Sequence, residues 1–357
     1  MDCKLHEEPN IKPRLTVHGL VQFLKSYIDQ GDYINPHKVR FFPRKMFLVE
    51  ESPDYLQVFS DGTVKRFAPG VVPASSEPSD GYKFKDVIID AAKPITGRIF
   101  IPIEIAASTA KLPVVVYFHG GGFCIGSTTW IGYHHFLGDL SVACQSIVLS
   151  VDYRLAPENR LPIAYEDCYE SLVWLGHQAS CDPWLNRADL SRLFLSGDSA
   201  GGNIAHNVAV KTMWNPIIHV KIGGLLSIHP YFGSEKRTEK EMSTDDEAVR
   251  NVASNDMFWR LSIPEGDNRD YFGCNFDRTE LSLTQWRNEF PAVTVYVAEL
   301  DFLKERGVMY AEFLQRKGIE VRLVEAENES HVFHIFKPDC EATRLLQKNM
   351  KEFIWNS

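Results

Sequence analysis

The chain has 357 residues, room for one large α/β domain or two smaller ones, and its 44% hydrophobic and 24% charged residues exclude a disordered protein. A formal net charge of -9 argues against nucleic-acid partners and anionic membrane surfaces, which need a basic face. Seven cysteines (Cys3, Cys124, Cys144, Cys168, Cys181, Cys274 and Cys340) are scattered without a C-x-x-C pair. Neither a zinc site nor a disulfide framework is expected, and a reducing cytoplasmic setting is.

The opening "MDCKLHEEPNIKPRL" carries acids and prolines where a secretory signal needs an apolar core. No window approaches 18 uninterrupted apolar residues, so no membrane span is expected. Residues 17–28, "VHGLVQFLKSYI", space apolar side chains as a helix does, and 37–47 are basic and aromatic. Residues 1–50 read as an N-terminal extension forming a helical cap or lid, and 51–357 as the main domain.

Residues 55–67 predict a hairpin, with two alternating runs flanking Ser60-Asp61-Gly62. A polar loop at 75–81 precedes two further strands of an antiparallel edge, at 84–90 and 97–103. From Leu112 the texture changes. Apolar runs at 112–119, 146–153, 192–197, 222–230, 292–300 and 321–327 lie between helical patterns such as 165–178 and 307–318. Runs without alternation predict strands covered on both faces, and the βαβ rhythm predicts a mostly parallel sheet flanked by helices. The charged stretch 231–250 reads as an exposed loop or part of a cap. The triplet Asn328-Glu329-Ser330 matches the glycosylation pattern by chance, in the absence of a secretory signal.

Within "RLFLSGDSAGGNIA" an apolar strand ends in Gly197-Asp198-Ser199-Ala200-Gly201 and a helical pattern begins at once. A serine between two glycines at a strand-to-helix corner predicts a tight turn that lifts the hydroxyl above the sheet edge as a nucleophile. The motif is weak alone, and two others reinforce it. Upstream, "YFHGGGFCIG" follows a strand; its consecutive glycines let backbone N–H groups approach a developing oxyanion. Gly121 and Gly122, with Ala200, are the expected donors. Downstream, Asp301 ends an apolar strand and His331 follows the next one, giving the order Ser, Asp, His. His331 would act as base and Asp301 would orient it. Glu299 is the rival acid, two residues earlier on the same strand face, and His334 the rival base.

Together His119-Gly120-Gly121-Gly122-Phe123, "VDYRLAPENRLPIAYED" (151–167), "GDSAGGNIAH" (197–206), "LDFLKERG" (300–307) and "SHVFHIF" (330–336) resemble the hormone-sensitive-lipase-like branch of the α/β hydrolases, and within it the plant carboxylesterases. The resemblance covers roughly residues 52 to 355. It implies an α/β-hydrolase fold with a mostly parallel, eight-stranded central sheet under an N-terminal cap. It also implies a serine carboxylesterase acting on small-molecule esters, with no cofactor and no metal. Arg154 and Glu158 then brace the fold. Trp130, Tyr133, His229, Tyr231, Val332 and Phe333 are expected around the substrate, with Phe23, Leu24 and Tyr27 of the lid behind them. Relatives on this scaffold include gibberellin receptors, which lose the triad histidine, and dehydratases and cyclases. His331 and Gly122 speak against a receptor; a lyase or cyclase stays open, as does the choice between monomer and homodimer.

Overall fold

The run Leu112–Phe118, buried at every position, needs apolar cover on two faces. In the computed structural model it lies near the middle of an eight-stranded sheet. The structure describes residues 46–74, 81–104 and 111–357. Strands are numbered β1 (Leu48–Ser52), β2 (Leu56–Phe59), β3 (Val64–Arg66), β4 (Tyr82–Asp90), β5 (Ile95–Pro102), β6 (Leu112–Phe118), β7 (Ile147–Asp152), β8 (Ala188–Asp198), β9 (Ile222–Ile228), β10 (Val293–Ala298) and β11 (Val321–Ala326). The large sheet has the order β11-β10-β9-β8-β6-β7-β5-β4. All neighbours from β11 to β7 run parallel, while β5 is antiparallel to both β7 and β4. The mostly parallel sheet with an antiparallel edge is thus the arrangement the apolar runs predict.

Alternate residues of one strand feed two separate cores. Val114, Val116 and Phe118 of β6 pack with helices α2 (Ile163–Gln178), α3 (Ala200–Trp214) and α6 (Lys304–Arg316). Val115 and Tyr117 pack with α1 (Ile131–Cys144) and α8 (Glu341–Asn356) on the opposite face. The expected hairpin is β2–β3, turning at Asp61-Gly62, where Gly62 has φ 87° and the Asp61 carboxylate accepts the Thr63 N–H. β1 adds to it as a third strand and runs across the boundary expected at 50/51. The lid expected over 1–50, including Phe23, Leu24 and Tyr27, lies almost wholly outside the described residues. Among the described residues no helix is long and apolar enough to cross a membrane.

The charged stretch 231–250 is anchored where the sequence suggested an exposed loop or cap. It starts with the buried Tyr231 and Phe232 and passes through a single 3-10 turn, Lys240–Met242. It then enters helix α4 (Asp246–Ser262), whose cap residue Asp245 accepts the Ala248 N–H at 2.8 Å. Glu241 and Arg306 are both buried, and the guanidinium donates to both carboxylate oxygens, at 2.9 and 2.7 Å. Arg306 also donates to Ser234 Oγ and to the Lys236 carbonyl, at 3.1 and 2.9 Å. The charges pattern the segment as solvent-facing, but one arginine from α6 draws it inward. Replacing one partner strands the other charge without a counter-ion. Glu241→Ala is expected to lower the unfolding free energy by about 3–5 kcal/mol, read from urea denaturation midpoints.

Candidate active site

The serine corner is strained and tightly packed. Ser199, between β8 and α3, has φ 52° and ψ −118°, a region that L-residues avoid unless the surroundings impose it. A Cβ on Gly201 would lie 1.8 Å from the Phe118 carbonyl oxygen, so α3 can follow β8 this closely only with glycine there. The end of β9 braces the turn: Ser199 N–H donates to the Ile228 carbonyl, and Tyr231 N–H to the Ser199 carbonyl, both at 2.9 Å. Ser199 is 7% exposed and lines a cavity of about 480 Å³.

The glycine loop after β6 enters the same cavity at Gly121 and Gly122. Gly121 has φ 107°, and a Cβ there would lie 2.2 Å from the Ile125 carbonyl oxygen. The loop is held from several sides. Ile125 N–H and Cys124 N–H donate to the Gly121 carbonyl, both at 3.0 Å, and Ser262 Oγ to the Gly122 carbonyl at 3.0 Å. Arg66 of β3 donates to the Cys124 carbonyl at 2.6 Å and to Glu158 at 2.5 Å. Arg154 binds the buried Asp167 through Nε and Nη2, at 2.9 and 2.6 Å. Arg154 and Glu158 thus make structural ion pairs.

Sequence reasoning missed Asp198. Its carboxylate is fully buried and accepts three donors: Tyr117 Oη at 2.8 Å, Tyr133 Oη at 2.9 Å and Gly120 N at 3.1 Å. Burial raises the Asp198 pKa, against the two phenol hydrogen bonds that lower it. Burial and the Asp198 charge push both phenols well above their ordinary range, so they remain protonated donors. The available signal was an acid directly after the apolar run Leu193–Leu195, at the buried end of β8, where a carboxylate is tolerated only when hydrogen-bonded.

Asp301 follows β10 and His331 follows β11. Their side chains meet with Nδ1 of His331 2.7 Å from Asp301 Oδ2. Asp301 Oδ1 accepts the Leu303 N–H at 2.8 Å. Burial opposes ionisation of this carboxyl, but the His331 charge, its hydrogen bond and the Leu303 N–H together hold the pKa below the usual carboxylate range. Burial likewise opposes protonation of His331, and the Asp301 charge and hydrogen bond outweigh it, raising the imidazole pKa. The rivals sit elsewhere. Glu299 accepts the exposed Asn328 N–H. His334 is buried on the α1 side against Phe136, and burial drives its pKa well down.

His229 lies beside this pair. Its Nδ1 accepts the Val332 N–H at 2.9 Å, and burial lowers its pKa to about 3. It therefore stays neutral, with its hydrogen on Nε2. Val332 is a β-branched residue at φ 47°, a conformation rare enough to need such support. One atom each of His229, Asp301 and His331 lies within 4.8 Å of the others, a spacing a metal ion could span. The Nδ1 atoms of both histidines and the Asp301 carboxylate already have protein partners, which leaves only the Nε2 atoms free of them in these contacts.

Of the six residues expected around the substrate, Trp130, Tyr133, Tyr231 and Val332 line the cavity that holds Ser199 and His331. His229 and Phe333 do not; they line a neighbouring cavity behind the His331 loop. The short helix α7 (Phe333–Phe336) turns Phe333 inward, where it packs against His229. Tyr133 offers its ring to the cavity, while its hydroxyl is engaged by Asp198 and Gly120 N–H. Phe258, Asn255 and Ile335 are further wall residues that the sequence did not indicate. In an NMR titration the His331 imidazole is expected to lose its proton above the ordinary value of about 6.5. Asp301→Asn should move that transition to lower pH, because it removes the anion that favours the charged ring.

A family described as the α/β hydrolase fold matches residues 115–335. Probable carboxylesterase 6 of Arabidopsis thaliana is 38% identical over 294 residues, covering 81% of this chain and 85% of the relative. Tuliposide A-converting enzyme 2, chloroplastic, of Tulipa gesneriana is 36% identical over 327 residues, covering 90% and 81%. Among solved structures, an esterase of Pyrobaculum calidifontis aligns with a TM-score of 0.63 at 26% identity, covering 77% of this chain and 85% of that one. The family match takes in the glycine loop, the serine corner, Asp301 and His331. With these similarities added to the sheet order and the strained serine, the chain belongs to the α/β-hydrolase-fold family, in the hormone-sensitive-lipase-like branch that includes the plant carboxylesterases.

Proposed function

We propose that the protein hydrolyses carboxylic esters of small apolar or aromatic metabolites through an acyl-enzyme on Ser199. The observation that carries this reading is the Asp301–His331 contact of 2.7 Å at the cavity that also holds Ser199 and the glycine loop. Ser199 Oγ attacks the ester carbonyl and His331 takes its proton through Nε2, since Nδ1 is held by Asp301. The oxyanion is held by the N–H groups of Gly121, Gly122 and Ala200. Asp301 stabilises the imidazolium, which returns its proton to the departing alkoxide. Water then attacks the acyl group, gives its proton to His331, and the acid leaves as Ser199 Oγ is reprotonated. Each preorganised N–H supplies roughly 3–4 kcal/mol of transition-state stabilisation. No step requires a cofactor.

Aromatic and aliphatic side chains such as Trp130, Phe258, Phe302 and Ile335 support apolar substrate groups. The tulip relatives, named for converting tuliposide A, favour one second reading. In it a hydroxyl within the substrate replaces water as the acyl acceptor, giving a lyase-like or cyclising outcome on the same acyl-enzyme.

Wild-type protein is expected to turn over p-nitrophenyl butyrate, and Ser199→Ala to lose about 10³-fold or more. The rate should fall on the acid side as His331 becomes protonated. In ¹⁸O-labelled water the label should enter the acid product; a product free of label would select the internal acceptor. A cytoplasmic location is part of the same proposal, supported by the described cysteines, all free. A fluorescent fusion in plant cells checks it, with plastid signal as the opposing result.

A further inference from the structure

Apart from Ser199, His331 and Asp198, the polar side chains that line the Ser199 cavity include Ser52, Tyr55 and a row along one helix face. Asn251, Ser254, Asn255 and Phe258 recur at helical spacing on α4, and all four line the cavity. Asn255 is 7% exposed, and its Oδ1 has no hydrogen-bond partner among the described residues. A buried amide oxygen left unpaired forfeits its hydration without compensation, so a native position of this kind calls for an explanation.

The helix is fixed with respect to the reacting groups. Tyr231 N–H donates to the Ser199 carbonyl, and the Tyr231 hydroxyl donates to the Asn255 carbonyl at 3.0 Å. One tyrosine therefore connects the serine to the asparagine, and it stacks on Trp259 at 4.3 Å between ring centres. At its C-terminal end the helix carries Ser262, which donates to the Gly122 carbonyl at 3.0 Å. Phe258 packs so closely that a Cβ on Gly122 would lie 2.6 Å from its ring. The asparagine is held at a set place beside both Ser199 and the glycine loop.

Charge narrows the class of ligand. Among the described residues the wall carries no lysine, arginine or glutamate. Its one aspartate, Asp198, is occupied by two tyrosines and a backbone N–H. Among the described residues an ionised substrate group would find no fixed counter-charge apart from the His331 imidazole, whereas a hydroxyl or carbonyl would find amide and hydroxyl partners.

We propose that Asn255 is a specificity-determining residue, and that the ester taken by this site bears hydroxyl or carbonyl groups on the arm that lies along α4. The inference rests on the esterase reading and adds the substrate class to it. A substrate hydroxyl donating to Asn255 Oδ1 satisfies the orphaned oxygen, while an alkyl group leaves it unpaired. Discrimination of this kind is stronger than that from a missing methylene.

The test uses two matched ester pairs followed by pH-stat: glycerol monobutyrate against propyl butyrate, and methyl 3-hydroxybutyrate against methyl butyrate. The first pair varies the alcohol arm and the second the acyl arm. Wild-type enzyme is expected to favour the hydroxylated member of one pair in kcat/KM. Asn255→Leu should reduce that preference about tenfold, the equivalent of one hydrogen bond. Asn255→Ala serves as a second variant, with near-UV circular dichroism reporting the fold of each. Preference for the plain ester in both pairs by the wild type overturns the proposal without recourse to any variant. So does a ratio that neither variant changes by more than about twofold. Absence of Ser199-dependent turnover on all four esters and on p-nitrophenyl butyrate would instead overturn the esterase reading and this inference together.

Discussion

The carboxylate of Asp198 joins the two parts of the site that must stay in register. It belongs to the serine turn, and its hydrogen bonds reach back to β6, to the glycine loop and to α1. A buried anion is costly unless several donors meet it, and here two phenols and a backbone N–H do so. The requirement works in both directions. The carboxylate needs the loop's Gly120 N–H, and the loop is held over Ser199 because the carboxylate is there. A Cβ on Gly120 would lie 2.4 Å from Asp198 Oδ2, so the closeness of this contact itself demands glycine.

Strain is distributed around this centre and balanced by specific contacts. Ser199 and Val332, the latter next to His331, both have positive φ. The Ser199 turn is held by backbone bonds to β9 and Tyr231, and the Val332 turn by a hydrogen bond to His229. The low pKa of His229 matters here. A ring that stays neutral keeps accepting the Val332 N–H while His331, beside it, gains and loses protons. Two histidines in one pocket thus divide the work: burial makes one a fixed structural acceptor, and a neighbouring carboxylate makes the other basic.

The same economy shapes the cavity. The Asp198 carboxylate and the Tyr133 hydroxyl are engaged by protein partners, while the α4 face is among the places where a substrate could gain directional contacts. Apolar walls provide affinity without geometry; a few fixed polar groups provide orientation. Helix α4 reaches this position because the segment before it is drawn onto α6 by the buried Glu241–Arg306 pair. An ion pair with no part in the chemistry therefore helps to place the wall of the active site.

The parallel strands, the hairpin at Asp61-Gly62 and the serine corner were legible in the sequence because each rests on local pattern: unbroken apolar runs, a turn dipeptide, glycines at a tight bend. The Ser, Asp, His order was legible because residues after successive parallel strands share one sheet edge. What the sequence could not reveal depends on contacts between distant segments. The inward pull on 231–250 comes from Arg306, more than sixty positions away. Asp301 and His331 were preferred over Glu299 and His334 from their places after the strands, and the contact between the two side chains is what the tertiary structure adds. Tyr133 keeps its ring on the cavity wall while its hydroxyl is taken by Asp198, and His229 and Phe333, expected around the substrate, line a neighbouring cavity instead. Sequence alone determined the sheet, the serine corner and the family, since these follow from short-range periodicity, turn sterics and motif order. Only the tertiary structure decided which polar atoms are already paired and which, like Asn255 Oδ1, have no partner among the described residues, because hydrogen-bond partners are chosen by proximity in space.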